Sequence, residues 1–535
     1  MSNRRPRVAC FALGLAALAA GCGDDTTTTG SGGATSSGDG GASSTSDATT
    51  TSSGGASGSG GGSVTTDHEV FGSGSRLRAR VLDAGGGALD FVAFHDVDLD
   101  TDCRFAHAAD GTPRCVPVAS PAQGGFSDAA CTKQAVYVST CLPPAYVTTS
   151  QLEGPQTCVG AQAGAIFTGG DTVAHVYALG APVPTLYRMQ GGSCVPDAAA
   201  PSGTAGFELG AEVDAGTFAG GTEQVTDVGA VAQAVVVHGD DGSFIYTEAR
   251  NKALDYACHL SSGYCEPPFI ADVQSTFSDD ACTSIAGIER SQQGATTCPP
   301  ATAVKEAVYT TSCAPPTITY YGVASEIDGA TVHYQASGSS TCQLYGAVAG
   351  NLANFAFFTP GAVLSPDTIF PTPYVPTGTG RVTIERRGLE SGQALTTAGQ
   401  LRDTEHPEAT CDVWADTAGT LRCLPRSAFN QPDTTFSLFA DAACTTPLAY
   451  ESKGCAPNDA VRPYVAVASN ESTCAIDRSE PTFVELREAV AYTGPVYMLG
   501  STGTCSAFAP PTYLYFTLGD VVDPAQFQTV SLVTE

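Results

Sequence analysis

Eighteen of the chain's twenty cysteines fall into three sets of six, and their flanking residues keep register from set to set. The first set is Cys103, Cys115, Cys131, Cys141, Cys158 and Cys194. The second is Cys258, Cys265, Cys282, Cys298, Cys313 and Cys342, and the third is Cys411, Cys423, Cys444, Cys455, Cys474 and Cys505. The second cysteine of each set lies in "DGTPRCVP", "SSGYCEPP" or "AGTLRCLP", and the third in "GFSDAACT", "TFSDDACT" or "LFADAACT". Each unit then closes with an apolar run into glycine: "FELGAEV", "FFTPGAV", "YFTLGDV". A phrase that recurs in order at a period of about 150 residues marks tandem copies of one structural unit. The boundaries drawn from it are 68–222, 223–378 and 379–535.

The cysteines have no CxxC spacing and no histidine cluster to hold a metal, so they read as disulfides formed outside the reducing cytosol. Cross-strand bridges Cys103–Cys115, Cys258–Cys265 and Cys411–Cys423 suit the variable loop between the first two cysteines. Six cysteines allow fifteen pairings per unit, which leaves the other bridges open. Asp128, Asp279 and Asp441 each stand three residues before the third cysteine. A residue present three times is scaffold before it is active site. Aspartate here is expected to close an Asx-type turn that the disulfide fixes, with Phe126, Phe277 and Phe439 packed beneath.

The segments read as strands. In "RLRARVLD" Leu77, Ala79 and Val81 alternate with Arg76, Arg78 and Arg80, the period of a half-buried strand. Glycine-rich or Asp-Gly turns then lead into a second strand in each unit, as at Asp241-Gly242. Long helical periodicity is missing; "PTFVELREAVAY" is the best candidate and fits a strand equally. The fold expected is all-β, three tandem disulfide-stapled repeats. Two closures fit it: a six-bladed β-propeller with two blades per unit, or three separate β modules in a row.

The N-terminus resembles a bacterial lipoprotein signal. "MSNRRPR" is a positive n-region, "VACFALGLAALAA" a short apolar h-region, and "LAALAAGC" is similar to the lipobox. The resemblance implies a signal peptide over 1–21 and a diacylglycerol thioether on Cys22, with the body anchored to a membrane through that lipid. Cys10 leaves with the signal, so eighteen cysteines remain for pairing. Residues 22–67 are nearly all Gly, Ser, Thr, Ala and Asp, a composition too polar to bury anything. Such a tether has a typical end-to-end distance of about 35–40 Å. The whole resembles secreted lipoproteins of GC-rich bacteria that carry a lipobox, a Thr/Ser/Gly tether and units of the "DG..RC.P" and "F.DAACT" type. That group implies architecture and an extracytoplasmic, lipid-anchored location at the outer membrane or cell surface. It implies no activity.

Chemistry is harder to find. Asp plus Glu outnumber Lys plus Arg by 54 to 24, leaving a formal charge of −30 that repels phosphate backbones, so nucleic acid is excluded as a partner. In "HDVDLDTD" the alternating Asp96, Asp98, Asp100 and Asp102 would share a strand face and offer oxygens to Ca²⁺, the one cofactor the sequence suggests. A solvated acidic loop is the alternative. There is no HExxH, GxSxG, P-loop or dinucleotide fingerprint. Trp414 and the tyrosines Tyr320, Tyr321, Tyr513 and Tyr515 suit either a sugar-stacking surface or core packing. The reading is therefore a membrane-anchored lipoprotein with a binding or structural role and no evident catalysis, its partner a polysaccharide or an envelope protein. The rival is an extracellular polysaccharide hydrolase using carboxylates in a propeller channel.

Overall fold

The computed structural model describes residues 70–535 apart from internal stretches, the longest being 291–299, 309–315, 426–437, 453–462 and 470–482. The described chain is all-β, with one five-residue helix, Tyr345–Ala349, and a few 3-10 turns. "PTFVELREAVAY" supplies the strand Phe483–Tyr492.

The first half of each unit is an antiparallel meander. In unit 1 it comprises Leu77–Asp83, Leu89–Asp96, Thr101–His107 and Pro113–Pro117. Unit 3 repeats it with Val382–Gly388, Ala394–Asp403, Thr410–Ala415 and Leu421–Pro425. Unit 2 keeps Ala232–Gly239 and Phe244–Asn251 at full length, and the rest is shortened to Tyr256–Ala257 and a bridge between His259 and Glu266. The alternation read in "RLRARVLD" holds: Leu77, Ala79 and Val81 are buried. A bulge between Arg80 and Val81 then turns Leu82 toward a different neighbour. Val81 thereby joins a core shared with Ala219 and Ile245, while Leu82 joins one with Val382 and Ile384. A third core sets Val228, Ala232 and Ala234 against Leu389 and Leu395. Each pair of meanders shares one core.

The units also exchange strands. Gly221–Asp227 pairs with Ala232–Gly239, and Tyr374–Thr377 pairs with Val382–Gly388. The C-terminal strand Ser531–Thr534 occupies the same place beside Leu77–Asp83 of unit 1, with Arg80 opposite Thr534 and Asp83 opposite Ser531. The last strand of the chain thus completes the first sheet, and the three meanders close end to end. The boundary drawn at 222/223 falls inside one of these exchanged strands.

Among the described residues the second half of each unit does not form another blade, and no six-bladed ring closes. In unit 2 the strand Ile270–Asp272 pairs parallel with Ala303–Val308, which curls the sheet into a closed barrel with Gly287–Arg290, Phe355–Val363 and Thr317–Ile327. In unit 1 the corresponding strands lie in one seven-stranded sheet, whose hairpin Tyr146–Gln162 and Ala165–Val183 is far longer. Unit 3 builds the same face from Leu448–Ser452, Tyr513–Val521, Phe483–Tyr492 and Tyr464–Ser469.

Candidate functional site

The bridges described so far pair the first cysteine with the second and the third with the sixth. Cys103–Cys115, Cys258–Cys265 and Cys411–Cys423 staple the meanders across neighbouring strands, as the loop lengths suggested. Cys131–Cys194, Cys282–Cys342 and Cys444–Cys505 tie each repeated corner to a short hairpin beside it, formed by Tyr187–Gln190 with Ser193–Pro196, His333–Tyr334 with Gln343–Leu344, and Tyr497–Leu499 with Cys505–Ala507. Cys141, Cys298, Cys313, Cys455 and Cys474 lie outside the described residues, as do Cys22 and the tether, and Cys158 is described only through its strand backbone.

The thrice-repeated aspartate closes a corner. Asp128 accepts hydrogen bonds from the Thr132 amide at 2.8 Å, the Thr132 hydroxyl at 2.6 Å and the Lys133 amide at 2.9 Å. Asp279 is held by the Thr283 and Ser284 amides, and Asp441 by those of Thr445 and Thr446. The Thr132 hydroxyl and the neighbouring amides hold the Asp128 carboxyl down to about 2. Asp441 also falls to about 2, desolvation working against it and the Thr446 and Thr445 donors prevailing. Inside the corner Cys131, Cys282 and Cys444 all adopt φ of 53°, a left-handed backbone rare for a residue with a side chain. The disulfide and the aspartate together over-determine it. All three carboxylates are spent on the frame.

The acidic run of unit 1 is drawn into a clasp. Asp96, fully buried, takes a bidentate ion pair from Arg76, with Nε at 2.9 Å and Nη2 at 2.7 Å. Asp98 leans on the same guanidinium at 3.3 Å, and Asp100 stands out in solvent beside His95. The run bends as a turn after Asp96, so the alternating carboxylates never share a face. Among the described residues no group of three or more His, Cys, Asp or Glu side chains gathers as a metal site. Unit 3 repeats the clasp with Arg381 and Asp403, at 2.9 and 2.7 Å. In both units the arginine also donates to a carbonyl of the closing turn, that of Thr217 or Gln526. Unit 2 has Val231 at the arginine position, and there Asn251 reaches the Thr368 carbonyl with its own amide at 2.7 Å.

Unit 2 departs from the repeat at one further place, and the departure is concerted. The residue after the second cysteine is Val116 in unit 1 and Leu424 in unit 3, both buried in apolar cores. In unit 2 it is Glu266, only 4% exposed. The Tyr320 hydroxyl donates to Glu266 at 2.6 Å, and the Lys305 ammonium lies 2.8 Å from the same oxygen. Register places Tyr320 where Val176 and Leu486 stand, since each passes its carbonyl to the closing run in the same way. Lys305 likewise replaces Thr148 and Ala466. Tyr264 packs edge-on to Tyr320 at 5.4 Å. Asp272, beside Lys305 in the parallel ladder, has its carboxyl pushed up by burial, with Lys305 opposing and Glu266 adding. His259, bridged to Glu266 through the backbone, is pushed down by burial. Burial and Glu266 also raise the Tyr320 phenol, which therefore stays a donor. A buried carboxylate costs several kcal/mol unless paired, and this one has two charge-assisted donors.

The aromatic candidates divide. Trp414 packs partly buried against the core of Leu424, Val484 and Leu486. Tyr320 belongs to the unit 2 cluster, and Tyr321 donates to Glu306 at 2.8 Å. Tyr513 and Tyr515 lie together on the unit 3 sheet, joined by Tyr450, which the sequence reading had passed over. The signal for Tyr450 was available in the strand "LAYES", where it faces away from the buried Ala449.

A family model described as a family of unknown function, DUF7481, matches residues 57–527, and the chain belongs to that family. No curated protein matches the chain, and no solved structure does.

Proposed function

We propose that the chain is an extracytoplasmic lipoprotein, anchored through Cys22, whose ring of disulfide-stapled units presents a binding surface. The observation that carries this reading is a constant frame with three different decorations. The Asp128, Asp279 and Asp441 corners and their bridges recur almost unchanged. What varies is peripheral: the long hairpin of unit 1, the helix Tyr345–Ala349 of unit 2 and the tyrosine face of unit 3. Repeat proteins that recognise partners vary in this way, holding the frame and changing the surface. Six described disulfides support an oxidising compartment. The tether over 22–67 would hold such a surface clear of the membrane.

Fractionation of wild type and Cys22→Ser tests the anchor: wild type is expected with membranes and the variant in the soluble fraction. Incubation of the purified protein with isolated envelopes and polysaccharides tests the role. Saturable co-sedimentation without release of reducing sugar is the expected result. Sugar release would instead establish a hydrolase and direct attention to Glu266 and Asp272.

A further inference from the structure

One face of the second-half sheet can be followed through all three units by its strand register. Its central pair is Tyr137 opposite Gly206 in unit 1, Ile288 opposite Phe357 in unit 2, and Tyr450 opposite Tyr515 in unit 3. Two residues earlier on the second strand stand Thr204, Phe355 and Tyr513.

In units 1 and 2 this face is covered. Leu186 sits so close over Gly206 that a Cβ there would meet its Cδ1 at 2.3 Å, and Tyr137 is buried with it. In unit 2 the helix Tyr345–Ala349 lies across the face, and the Tyr345 ring is 5.7 Å from Phe355 and 5.5 Å from Phe357. Twelve residues separate Cys342 from Phe355 and hold that helix, whereas seven separate Cys505 from Tyr513. In unit 3 Phe508 takes the place of Tyr345, its amide donating to Val496 as that of Tyr345 does to Val332, and the two pack on the inner side of Tyr515, while Tyr450 stays 39% exposed.

Its residues have changed to match. Where unit 2 places Ile288, Phe357 and Phe355 under a lid, unit 3 places three tyrosines. Tyr450 is 39% exposed, the Tyr513 ring stands 5.3 Å from it at 85°, and Tyr515 lies 6.4 Å from Tyr513 at 55°. Tyr515 packs inward toward Leu448 and Val496, which fixes the inner edge of the patch. Rings set at right angles form a notch with an aromatic wall and an aromatic floor. Tyrosine carries an apolar face and a polar tip, so the notch suits a ligand that presents C–H faces and hydroxyls in alternation. A pyranose ring has that chemistry. The chain's formal charge of −30 disfavours a polyanion, and on the same face Tyr515 is followed by the uncharged Thr517.

We propose that Tyr450, Tyr513 and Tyr515 form a stacking site for a pyranose ring of an uncharged polysaccharide, an assignment that rests on the binding reading above. Affinity electrophoresis of the full chain tests it, in gels containing hydroxyethylcellulose, soluble starch or polygalacturonate. Wild type is expected to be retarded by at least one of the two neutral polymers and not by polygalacturonate. Tyr450→Ala and Tyr513→Thr should each weaken that retardation about tenfold, the loss of one stacked ring. Tyr513→Thr copies unit 1, where Thr204 stands at this position in the same strand pairing, so it keeps the sheet intact. Tyr513→Phe should retain most binding, and Tyr374→Ala, at a tyrosine 42% exposed on another strand, should change nothing. Neutral-polymer binding that survives both Tyr450→Ala and Tyr513→Thr overturns the site but leaves the ligand class. Retardation by polygalacturonate alone, or binding to isolated envelopes with no neutral polymer bound, overturns the ligand class and leaves the binding role. Binding to neither envelopes nor polymers overturns the binding role itself, and the site with it.

Discussion

The Tyr320 hydroxyl donates a 2.6 Å hydrogen bond to Glu266 where the other two units share apolar cores, Val116 with Val176 and Leu424 with Leu486. The polar version is complete only with Lys305, 2.8 Å from the same carboxylate. Glu266→Val alone strands a partly buried ammonium and a buried phenol, and should cost about 3 kcal/mol or more in chemical denaturation. The triple change Glu266→Val, Lys305→Thr, Tyr320→Val rewrites the site as unit 1 has it and should recover most of that loss. A triple variant no more stable than the single one would mean that the cluster is not a self-contained replacement.

Glu289 gives the barrel of unit 2 a pH dependence of its own. It is 1% exposed, one carboxylate oxygen accepts from the Ala301 amide at 3.2 Å, and the other is buried without a partner. Burial raises it from 4.5 to about 7, the Ala301 amide opposing and exposed Glu326 adding a little. The folded state therefore holds a proton between pH 4.5 and about 7 that the unfolded chain releases. Stability contributed by this proton is present at low pH and falls as pH rises through that window. Glu289→Gln should flatten the Tm-against-pH curve between 5 and 7.5 and raise Tm at pH 8 relative to wild type. An unchanged slope would assign the dependence to other groups.

The three corners act in the opposite sense and at lower pH. Asp128 and Asp441 titrate near 2 in the folded protein against 3.8 in an unperturbed chain. Their contribution is present above about 4 and is lost as pH falls toward 2. Changing Asp128, Asp279 and Asp441 together to Asn should shrink the loss of Tm between pH 4 and 2.5. A wild-type slope in that variant would show that the corners do not set acid stability.

Much of this was readable because it is local. The aspartate corners close within five residues, and the meander staples join adjacent strands, so the repeated phrases contain all their partners. The partner of Asp96 was not readable for the converse reason: the arginine that claims it lies twenty residues upstream, and nothing in "HDVDLDTD" announces Arg76. Glu266 stood in plain view as the odd residue among Val116, Glu266 and Leu424. Lys305 and Tyr320 could not be joined to it without the fold, because strand register alone brings them together. The blade-like count of strands suggested a propeller. Parallel pairing of Ile270–Asp272 with Ala303–Val308 curls the second half of unit 2 into a barrel, and no local pattern encodes that closure.

The bridges should differ in weight according to the loops they close. Cys131–Cys194 spans 63 residues and Cys258–Cys265 spans 7. On the chain-entropy account these loops are worth about 4 and about 2 kcal/mol. Paired Cys→Ala variants in denaturant melts should reproduce that order, the long bridge costing more. Equal losses would point to strand packing around the bridges as the larger contribution.

The closing strand is the least conspicuous element and the one on which the ring depends. Ser531–Thr534 is four residues long, yet it covers the edge of Leu77–Asp83, and the Glu535 amide donates to the Ala79 carbonyl at 2.9 Å. Without it that edge presents unpaired amides and carbonyls, a template for another chain. Val530, just before it, is buried among Leu82, Val382 and Ile384, so the strand also seals the contact between units 1 and 3. Truncation after Val530 keeps that plug and removes only the pairing. The truncated protein should melt several degrees lower and show concentration-dependent dimers or larger species in sedimentation velocity. Truncation after Gln528 should add the loss of Val530, a further 2 kcal/mol or so for one buried aliphatic side chain. Were both proteins monomeric and as stable as wild type, the ring would be held by the three shared cores alone, and the strand would be incidental to its closure.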